Sequence, residues 1–129
     1  MRNDKEYQLC KAISTYLKLQ YPNVLYHFDY AGLNLSIQQA SKMKTIQGKI
    51  GYPDLFIMNP KNIYAGLFLE IKYSKNQIFD VNNVIKKSKH ISEQKDMINM
   101  LRHQGYAANF VWSFEMAKDI IDKYLHCKY

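Results

Sequence analysis

The stretch 52-YPDLFIMNPKNIYAGLFLEIKY-73 decides the fold, because it contains two apolar runs that are separated by a turn. The runs, about 53–58 and 65–73, are rich in the aliphatic and aromatic residues of strands, and 59-NPKN-62 between them is typical of a turn. We therefore predict an antiparallel hairpin. The second run has apolar residues on both faces, which indicates an interior strand covered on both sides.

Three charged residues, Asp54, Glu70 and Lys72, interrupt these apolar runs. Glu70 and Lys72 are two residues apart, so both side chains project from one face of a strand. Asp54 and Glu70 are equally distant from Asn62 in the turn, so a regular hairpin places them nearly opposite each other. Two carboxylates that are close repel each other unless they share a proton or bind a divalent cation. Both solutions stay open at this point, as does an ion network that only holds the hairpin together.

The chemistry of these three side chains favours a hard divalent cation over zinc. Carboxylate oxygens suit Mg²⁺ or Mn²⁺, and Mg²⁺ uses only one or two carboxylates together with water and phosphate oxygens. No His and Cys residues have the spacing of a zinc site. Lys72 would offset the negative charge, orient an attacking water or stabilise charge on a phosphate. The residues therefore indicate metal-assisted hydrolysis of a phosphodiester.

Length and composition favour one domain with a polyanionic partner. The 129 residues suit a single domain over residues 1–129, and 47% of them are hydrophobic, enough for a core. The 18 basic and 11 acidic residues give a formal charge of +7, which favours nucleic acid first and an anionic membrane surface second. There is no bilayer-spanning run and no signal-peptide core, and Cys10 and Cys127 are interpreted as reduced thiols. We therefore expect a cytoplasmic protein with no membrane partner.

The rest of the chain alternates between helical and strand-like patterns. The predicted elements are helices over 4–20, 36–46, 92–104 and 114–126 and strands over 24–31 and 107–113. Ser92 and Ser113 are the predicted N-caps of the last two helices. A basic segment at about 73–91 is predicted to be a loop or a weakly structured arm. The order α-β-β-β-α-β-α, with the short extra helix, predicts an α/β fold with a mixed central sheet flanked by helices.

The same residues resemble the PD-(D/E)xK nuclease superfamily, through 53-PD-54 and 70-EIK-72. Three segments are similar, in order, to those of VRR-NUC (virus-type replication-repair nuclease) domains. They are 40-ASKMKTIQGKIGYPDL-55, 69-LEIK-72 and 92-SEQKDMINMLRHQGYAANFVWS-113. The resemblance implies a restriction-endonuclease-like core and a divalent-metal-dependent DNA endonuclease. Its implied cofactor is Mg²⁺, for which Mn²⁺ is expected to substitute.

The resemblance also implies a role for individual side chains. The matching catalytic residues are Asp54, Glu70, Lys72 and Gln94, and the matching metal ligands are Asp54, Glu70, the carbonyl of Ile71, and Glu6. Taken alone, Glu6 is either a solvated residue of the first helical turn or an acid that points at the site. Among the four histidines, only His90 is kept as a candidate, because it lies just before the helix that contains Gln94.

Two features depart from the family pattern. The family's serine usually lies three residues before the glutamine, whereas here Ile91 has that position and Ser92 lies two residues before Gln94. The family segment between ExK and this helix is usually short, whereas here 73–91 is long and basic. We interpret it as an additional DNA-contacting arm or a dimer element, with a solvated lysine-rich loop as the alternative.

Two groups of lysines are candidates for contacts to DNA phosphates, with a plain solvated surface as the alternative. They are Lys42, Lys44 and Lys49 before the hairpin and Lys75, Lys86, Lys87 and Lys89 after it. The resemblance implies branched, flap or junction DNA, including the Holliday junction, in replication, recombination or repair. It further implies a phage or prophage origin and a homodimer. Two other hypotheses stay open, a non-catalytic DNA-binding module that retains the nuclease fold, and an interaction or structural protein.

Overall fold

A computed structural model, which describes residues 4–29 and 35–129, shows a four-stranded sheet with helices packed on both faces. In chain order the elements are α1 (Asp4–Gln20), β1 (Tyr26–Phe28), α2 (Ile37–Ile46), β2 (Leu55–Ile57), β3 (Leu67–Ile71), α3 (Lys89–His103), β4 (Ala107–Val111) and α4 (Phe114–Leu125). The predicted α/β class with a mixed, helix-flanked sheet is confirmed. Within the described ranges, no helix combines the length and apolar character needed to cross a bilayer.

The sheet has the strand order β1-β2-β3-β4, so β3 is an interior strand as predicted. The pairs β1–β2 and β2–β3 are antiparallel, and β3–β4 is parallel. Leu55 pairs with Leu69, and Ile57 pairs with Leu67. Continuing this register by one residue sets Asp54 opposite Glu70, so the register predicted from the turn is confirmed. The hairpin therefore brings its two carboxylates to one end of the sheet.

The two faces of the sheet pack against different helices because side chains alternate along each strand. Leu67, Leu69 and Ile71 of β3 belong to the main core, which contains the buried stripes of α1 and α4. On the other face lies a smaller cluster in which residues of α3 pack against the sheet. It consists of Met97, Ile98, Leu101 and Ala108, with Phe68, Tyr106 and Phe110 packed against it. Glu70 alternates with Leu69 and Ile71, so its side chain lies on the α3 face.

Helix α1 is attached to α4 by a cluster of polar side chains beside the main core. The hydroxyls of Tyr16 and Tyr21 both donate to Asp122 Oδ1, at 2.5 and 2.7 Å. Lys118 Nζ donates to the other oxygen of the same carboxylate at 3.1 Å. Together with the buried residues of α1, these bonds fix the helix across the sheet and so fix the position of Glu6 in its first turn.

The predicted N-cap at Ser92 is wrong, whereas that at Ser113 is confirmed. Helix α3 begins at Lys89, with Ser88 as N-cap accepting a hydrogen bond from the Ile91 amide at 3.4 Å. Ser92 is already helical, since its amide donates to the Ser88 carbonyl at 2.9 Å. The apolar stripe begins only at Ile91, so periodicity placed the helix start almost one turn too late. Ser113 accepts from the Met116 amide at 3.1 Å.

The strands are shorter than their apolar runs. Pro53 lacks an amide proton, and β2 pairs only over Leu55–Ile57 although the prediction was 53–58. The predicted strands at 65–73 and 107–113 are likewise reduced to Leu67–Ile71 and Ala107–Val111. The run predicted at 24–31 forms Tyr26–Phe28, and its last two residues lie outside the described part of the chain.

The segment 73–91 is more regular than the predicted loop or weakly structured arm. A 3-10 turn spans Lys75–Gln77, and the chain then folds back so that Phe79 and Ile85 form an antiparallel bridge. Ile78 is fully buried, and such burial gives the segment a fixed attachment to the core. The sequence did not predict this structure, because the apolar residues that attach the segment are too few and too widely spaced to form a periodic pattern.

Candidate functional site

The candidate site lies at the end of the sheet where β2 begins and β3 ends. Asp54 directly precedes β2, and its Oδ2 accepts a hydrogen bond of 2.8 Å from the amide of Ile71. The Asp54 carbonyl accepts a second bond, of 2.7 Å, from the amide of Asp29. The Asp54 carboxylate is thereby held against the last residue of β3.

Glu70, Lys72 and Gln94 meet on the α3 face and are all buried. Gln94 Nε2 donates to Glu70 Oε1 at 2.6 Å, and Lys72 Nζ lies 3.6 Å from the same oxygen. Glu70 and Lys72 are 3% and 5% exposed, although both belong to residue types that are almost never fully buried without a partner. Glu70 and Lys72, predicted to share a strand face, therefore form a single cluster with Gln94, predicted to lie on the inner face of α3.

The electrostatics of the cluster disfavour an ionised Glu70. Burial raises the pKa of Glu70 well above its ordinary value, and the neighbouring Asp54 carboxylate raises it further. Lys72 lowers the pKa, but by less than these effects raise it. Glu6 adds a smaller increase, so the acid in the first turn of α1 is close enough to act on this carboxyl. As the sequence predicted, the carboxyl groups of Asp54 and Glu70 are therefore close enough in the folded protein to disfavour ionisation of both.

The oxygen atoms of the cluster fit a hard divalent cation. Glu70 Oε2 and Gln94 Oε1 are both buried and make no hydrogen bond to any described residue. Among residues 4–29 and 35–129, no three His, Cys, Asp or Glu side chains are arranged to hold a metal, so Glu6 does not join Asp54 and Glu70 in a set of three carboxylate ligands. A small set of carboxylate and carbonyl oxygens agrees with the few protein ligands that Mg²⁺ takes, and disagrees with a zinc site.

His90 belongs to the same cluster, a contact that the sequence only suggested. Its Nε2 lies 3.1 Å from Gln94 Nε2. Because an amide nitrogen only donates, a hydrogen bond here requires the His90 ring nitrogen to accept. Gln94 therefore uses one amide hydrogen for Glu70 and one for His90. His90 and Gln94 are four residues apart, a spacing that makes two side chains neighbours in a helix. The sequence predicts this contact only if α3 is known to begin at Lys89.

Gly51 brings the segment before Asp54 into contact with α3. Its φ is +85°, and a Cβ at this position would lie 2.9 Å from the backbone oxygen of Glu93 and 3.4 Å from the Gln94 nitrogen. A side chain is excluded both by this conformation and by the nearby helix backbone. The close approach connects the Asp54 segment directly to the helix turn that contains Gln94.

Replacing Gly51 by Ala is expected to lower stability by about 2–4 kcal/mol, because a positive φ costs about 1–2 kcal/mol and the methyl group also meets backbone atoms. Gly105→Ala is the matched control, because Gly105 has φ +96° but nothing within 4 Å of a Cβ. Chemical denaturation of both variants measures the difference. Equal losses of stability would show that the contact with Glu93 adds no strain.

The seven candidate DNA-binding lysines all lie outside this buried cluster and are exposed. Lys42 and Lys44 are on α2, a helix without buried residues, and Lys49 follows it. After β3, Lys75 lies over the ring of Phe79 at 5.7 Å, and Lys89 lies 4.0 Å from Glu93. Their exposure agrees with phosphate contacts and equally with a solvated surface, so their role stays a prediction.

Comparison with known proteins supports the resemblance inferred from sequence. No family model matches the chain, and no curated protein matches it. A solved structure described as "VRR_NUC domain protein" is 25% identical, with a TM-score of 0.66, and the match covers 94% of this chain and 88% of the other. A second, described as "VRR_NUC domain", is 20% identical, with a TM-score of 0.57 and coverages of 95% and 99%. The predicted resemblance is confirmed over nearly the whole chain, and it indicates a nuclease-type domain.

Proposed function

We propose, from the fold that this chain shares with VRR-NUC domains, that it is a Mg²⁺-dependent endonuclease acting on branched, flap or junction DNA. The observation that carries the proposal is the cluster at one end of the sheet in which Glu70, Lys72 and Gln94 are buried and Asp54 is half-buried beside them. A protein that only binds DNA has no use for clustered carboxylates, since these repel phosphate. Phosphodiester hydrolysis supplies a reason for placing the Asp54 and Glu70 carboxyl groups next to each other.

Asp54, Glu70 and the carbonyl of Ile71 would hold the cation, and Glu6 would add negative charge from α1. When bound, Mg²⁺ stabilises negative charge on the scissile phosphate and acidifies a bound water, and Mn²⁺ is expected to substitute. The raised pKa of Glu70 means that the metal-free carboxyl tends to keep its proton. Glu70 would release this proton as the site is loaded.

The remaining side chains orient the reacting groups. Lys72, held 3.6 Å from Glu70 Oε1, would orient the attacking water or stabilise charge that develops on the phosphate. Gln94 fixes the Glu70 carboxylate through its bond of 2.6 Å, and His90 in turn fixes the Gln94 amide. Since both partners of Glu70 are buried, the site is preorganised before DNA binds.

Cleavage of DNA tests this proposal. Wild type is expected to cleave branched DNA with Mg²⁺ or Mn²⁺, whereas Asp54→Asn should lose activity by about 10²-fold or more, because one of two metal-binding carboxylates is gone. The substrates are single-stranded, duplex, flap, fork and four-way junction DNA of matched sequence. Asp119→Asn, a change at an exposed carboxylate of α4, is the control and should cleave like wild type. Equal cleavage by wild type and Asp54→Asn would overturn the proposal.

The homodimer, the phage or prophage origin and the role in replication, recombination or repair stay predictions from the resemblance. One observation favours self-association. Helix α2 has a complete capping box at Ser36 but buries none of its residues, and it exposes Met43 and Ile46, which are three residues apart and share one face. An apolar helix face of this kind is usually covered by a partner. The mass of the protein in solution, measured by light scattering, decides this point.

A further inference from the structure

Residues 78–86, here called the Val81 loop, form a folded projection between the two elements that supply the candidate site. Phe79 and Ile85 pair as an antiparallel bridge, and the Lys86 amide donates to the Ile78 carbonyl at 2.8 Å. Before the loop, β3 leads to Lys72, and after it α3 leads to His90 and Gln94. The base of the loop lies at the same end of the sheet as the site, because Phe79 contacts Trp112 and the Lys72 amide donates to the neighbouring Val111 carbonyl at 2.9 Å.

The tip of the Val81 loop has a fixed conformation. Asp80 Oδ1 accepts hydrogen bonds from the amides of Asn82 and Val84, at 2.8 and 3.1 Å. The Asp80 amide donates to the Val84 carbonyl at 2.9 Å, and Asn83 has the positive φ, +59°, of a tight turn. Asx turns of this kind hold a loop without help from the core.

The base of the loop is attached to the rest of the protein. Ile78 is fully buried, and the ring of Phe79 packs edge-on against Trp112, just beyond β4, with 5.6 Å between ring centroids. The Tyr73 amide also donates to Gln77 Oε1 at 2.7 Å. With a fixed tip and a fixed base, the loop can present a side chain to a ligand at low entropic cost.

The side chain presented at the tip is Val81, which is 100% exposed, with Val84 half-exposed beside it. Basic residues precede and follow them in the chain. They are Lys75, Lys86, Lys87 and Lys89, all exposed. The single acidic residue of 73–91, Asp80, is engaged in the turn through Oδ1. An exposed apolar tip in a lysine-rich segment matches an occupant that combines apolar and anionic groups, as stacked bases between phosphates do.

We propose that the Val81 loop is a wedge that enters DNA at a branch, with Val81 against an exposed base pair and the lysines that precede and follow it on phosphates. The inference rests on the proposed DNA substrate and deepens it, because it assigns preference for a branch to this loop. Proteins insert aliphatic side chains between base steps at the cost of unstacking. This cost is lowest where bases are already unpaired, so a branch is favoured over a linear duplex.

The test compares Val81→Ser with Ile63→Ser, since both residues are exposed aliphatics, 100% and 86%, and Ile63 lies in the turn at the opposite end of the hairpin. Affinities for a fork and for a linear duplex of the same sequence are measured by fluorescence anisotropy in EDTA. Val81→Ser should lower the fork-to-duplex affinity ratio about fivefold to tenfold, and Ile63→Ser should leave it unchanged. Thermal unfolding confirms that both variants are folded.

Each other outcome gives a definite answer. An unchanged ratio in Val81→Ser, or a wild-type protein that does not prefer the fork, overturns the wedge. A changed molecular mass in Val81→Ser also overturns it, because the loop then contacts a second copy. Binding in EDTA needs no cleavage. If Val81→Ser lowers the fork-to-duplex affinity ratio but wild type does not cleave DNA, the wedge is supported and the nuclease is rejected. If wild type cleaves DNA but Val81→Ser leaves the ratio unchanged, the nuclease is supported and the wedge is rejected.

Discussion

Glu70→Gln is expected to abolish DNA cleavage and, at the same time, to raise the thermal stability of the metal-free protein. Glutamine keeps an oxygen that can accept from Gln94 but removes the carboxylate that would bind the cation. The loss of activity should reach about 10²–10⁴-fold, since removal of a central catalytic group costs at least that much. A stabilising change at the expense of activity is typical of functional sites.

The pH dependence of this stability has a definite sign. Burial and Asp54 raise the pKa of Glu70 in the folded state above its unfolded value. The folded protein therefore prefers the protonated carboxyl, and the stability that this gives is lost as pH rises through the folded-state pKa. Glu70→Gln does not ionise, so its advantage should be small near about pH 4 and should increase at higher pH.

Thermal unfolding in EDTA over a pH series measures this effect, with an expected gain in Tm of roughly 3–6 °C at mildly alkaline pH. Asp96→Asn, an exposed change on α3, is the control and should follow wild type. Calorimetry with Mn²⁺ should show a binding site in wild type that is absent in Glu70→Gln, which also separates a nuclease from a non-catalytic DNA-binding module. If Glu70→Gln cleaves DNA, or if its Tm is lower than that of wild type at every pH, the proposed role of Glu70 is wrong.

Lys72→Met is expected to lose cleavage by about 10²–10³-fold but, unlike Glu70→Gln, to lower stability. The methionine fills most of the same volume and removes the buried cation 3.6 Å from Glu70. Without this charge, the pKa of Glu70 rises further, and we expect a loss of about 1–3 kcal/mol at alkaline pH, where the wild-type carboxyl ionises beside Lys72. Mn²⁺ binding should be retained, because Lys72 is not a ligand.

Lys123→Met is the matched control for burial. Lys123 pairs with Asp119 at 3.0 Å, a shorter distance than that between Lys72 and Glu70, but both side chains are more than half exposed. Solvent-exposed pairs contribute at most about 1 kcal/mol, so this control should remain nearly as stable as wild type and fully active. The double variant Glu70→Gln/Lys72→Met should recover part of the stability lost in Lys72→Met, because the carboxylate left unpaired is then also gone. If the two single effects simply add, the buried pair is not coupled.

Much of the fold follows from local patterns in the sequence. The apolar stripe of α1 predicts Asp4–Gln20, because helical spacing depends on neighbouring residues. The hairpin register also follows from the sequence, since the position of the turn fixes which residues face each other. For this reason the sequence predicts that Asp54 and Glu70 are opposite each other and that Glu70 and Lys72 share a face.

The start of α3 and the structure of the Val81 loop could not be predicted from the sequence. The start of α3 at Lys89 depends on Ser88, in a polar stretch that has no apolar periodicity. Without that start, the contact between His90 and Gln94 cannot be inferred. The Val81 loop depends on contacts across the chain, above all that between Phe79 and Trp112. Such long-range contacts leave no periodic signal in the sequence.

By itself, the sequence determined which charged residues share a strand face and which of them oppose each other across the hairpin, because strand alternation and turn position are local. Only the tertiary structure decided that Glu70, Lys72 and Gln94 are all buried together, since burial requires α3 to cover the end of β3. It also decided that Gly51 lies against α3. These long-range contacts lower the effective dielectric around Glu70, which raises the pKa of its carboxyl and underlies our proposal that the cluster binds a cation.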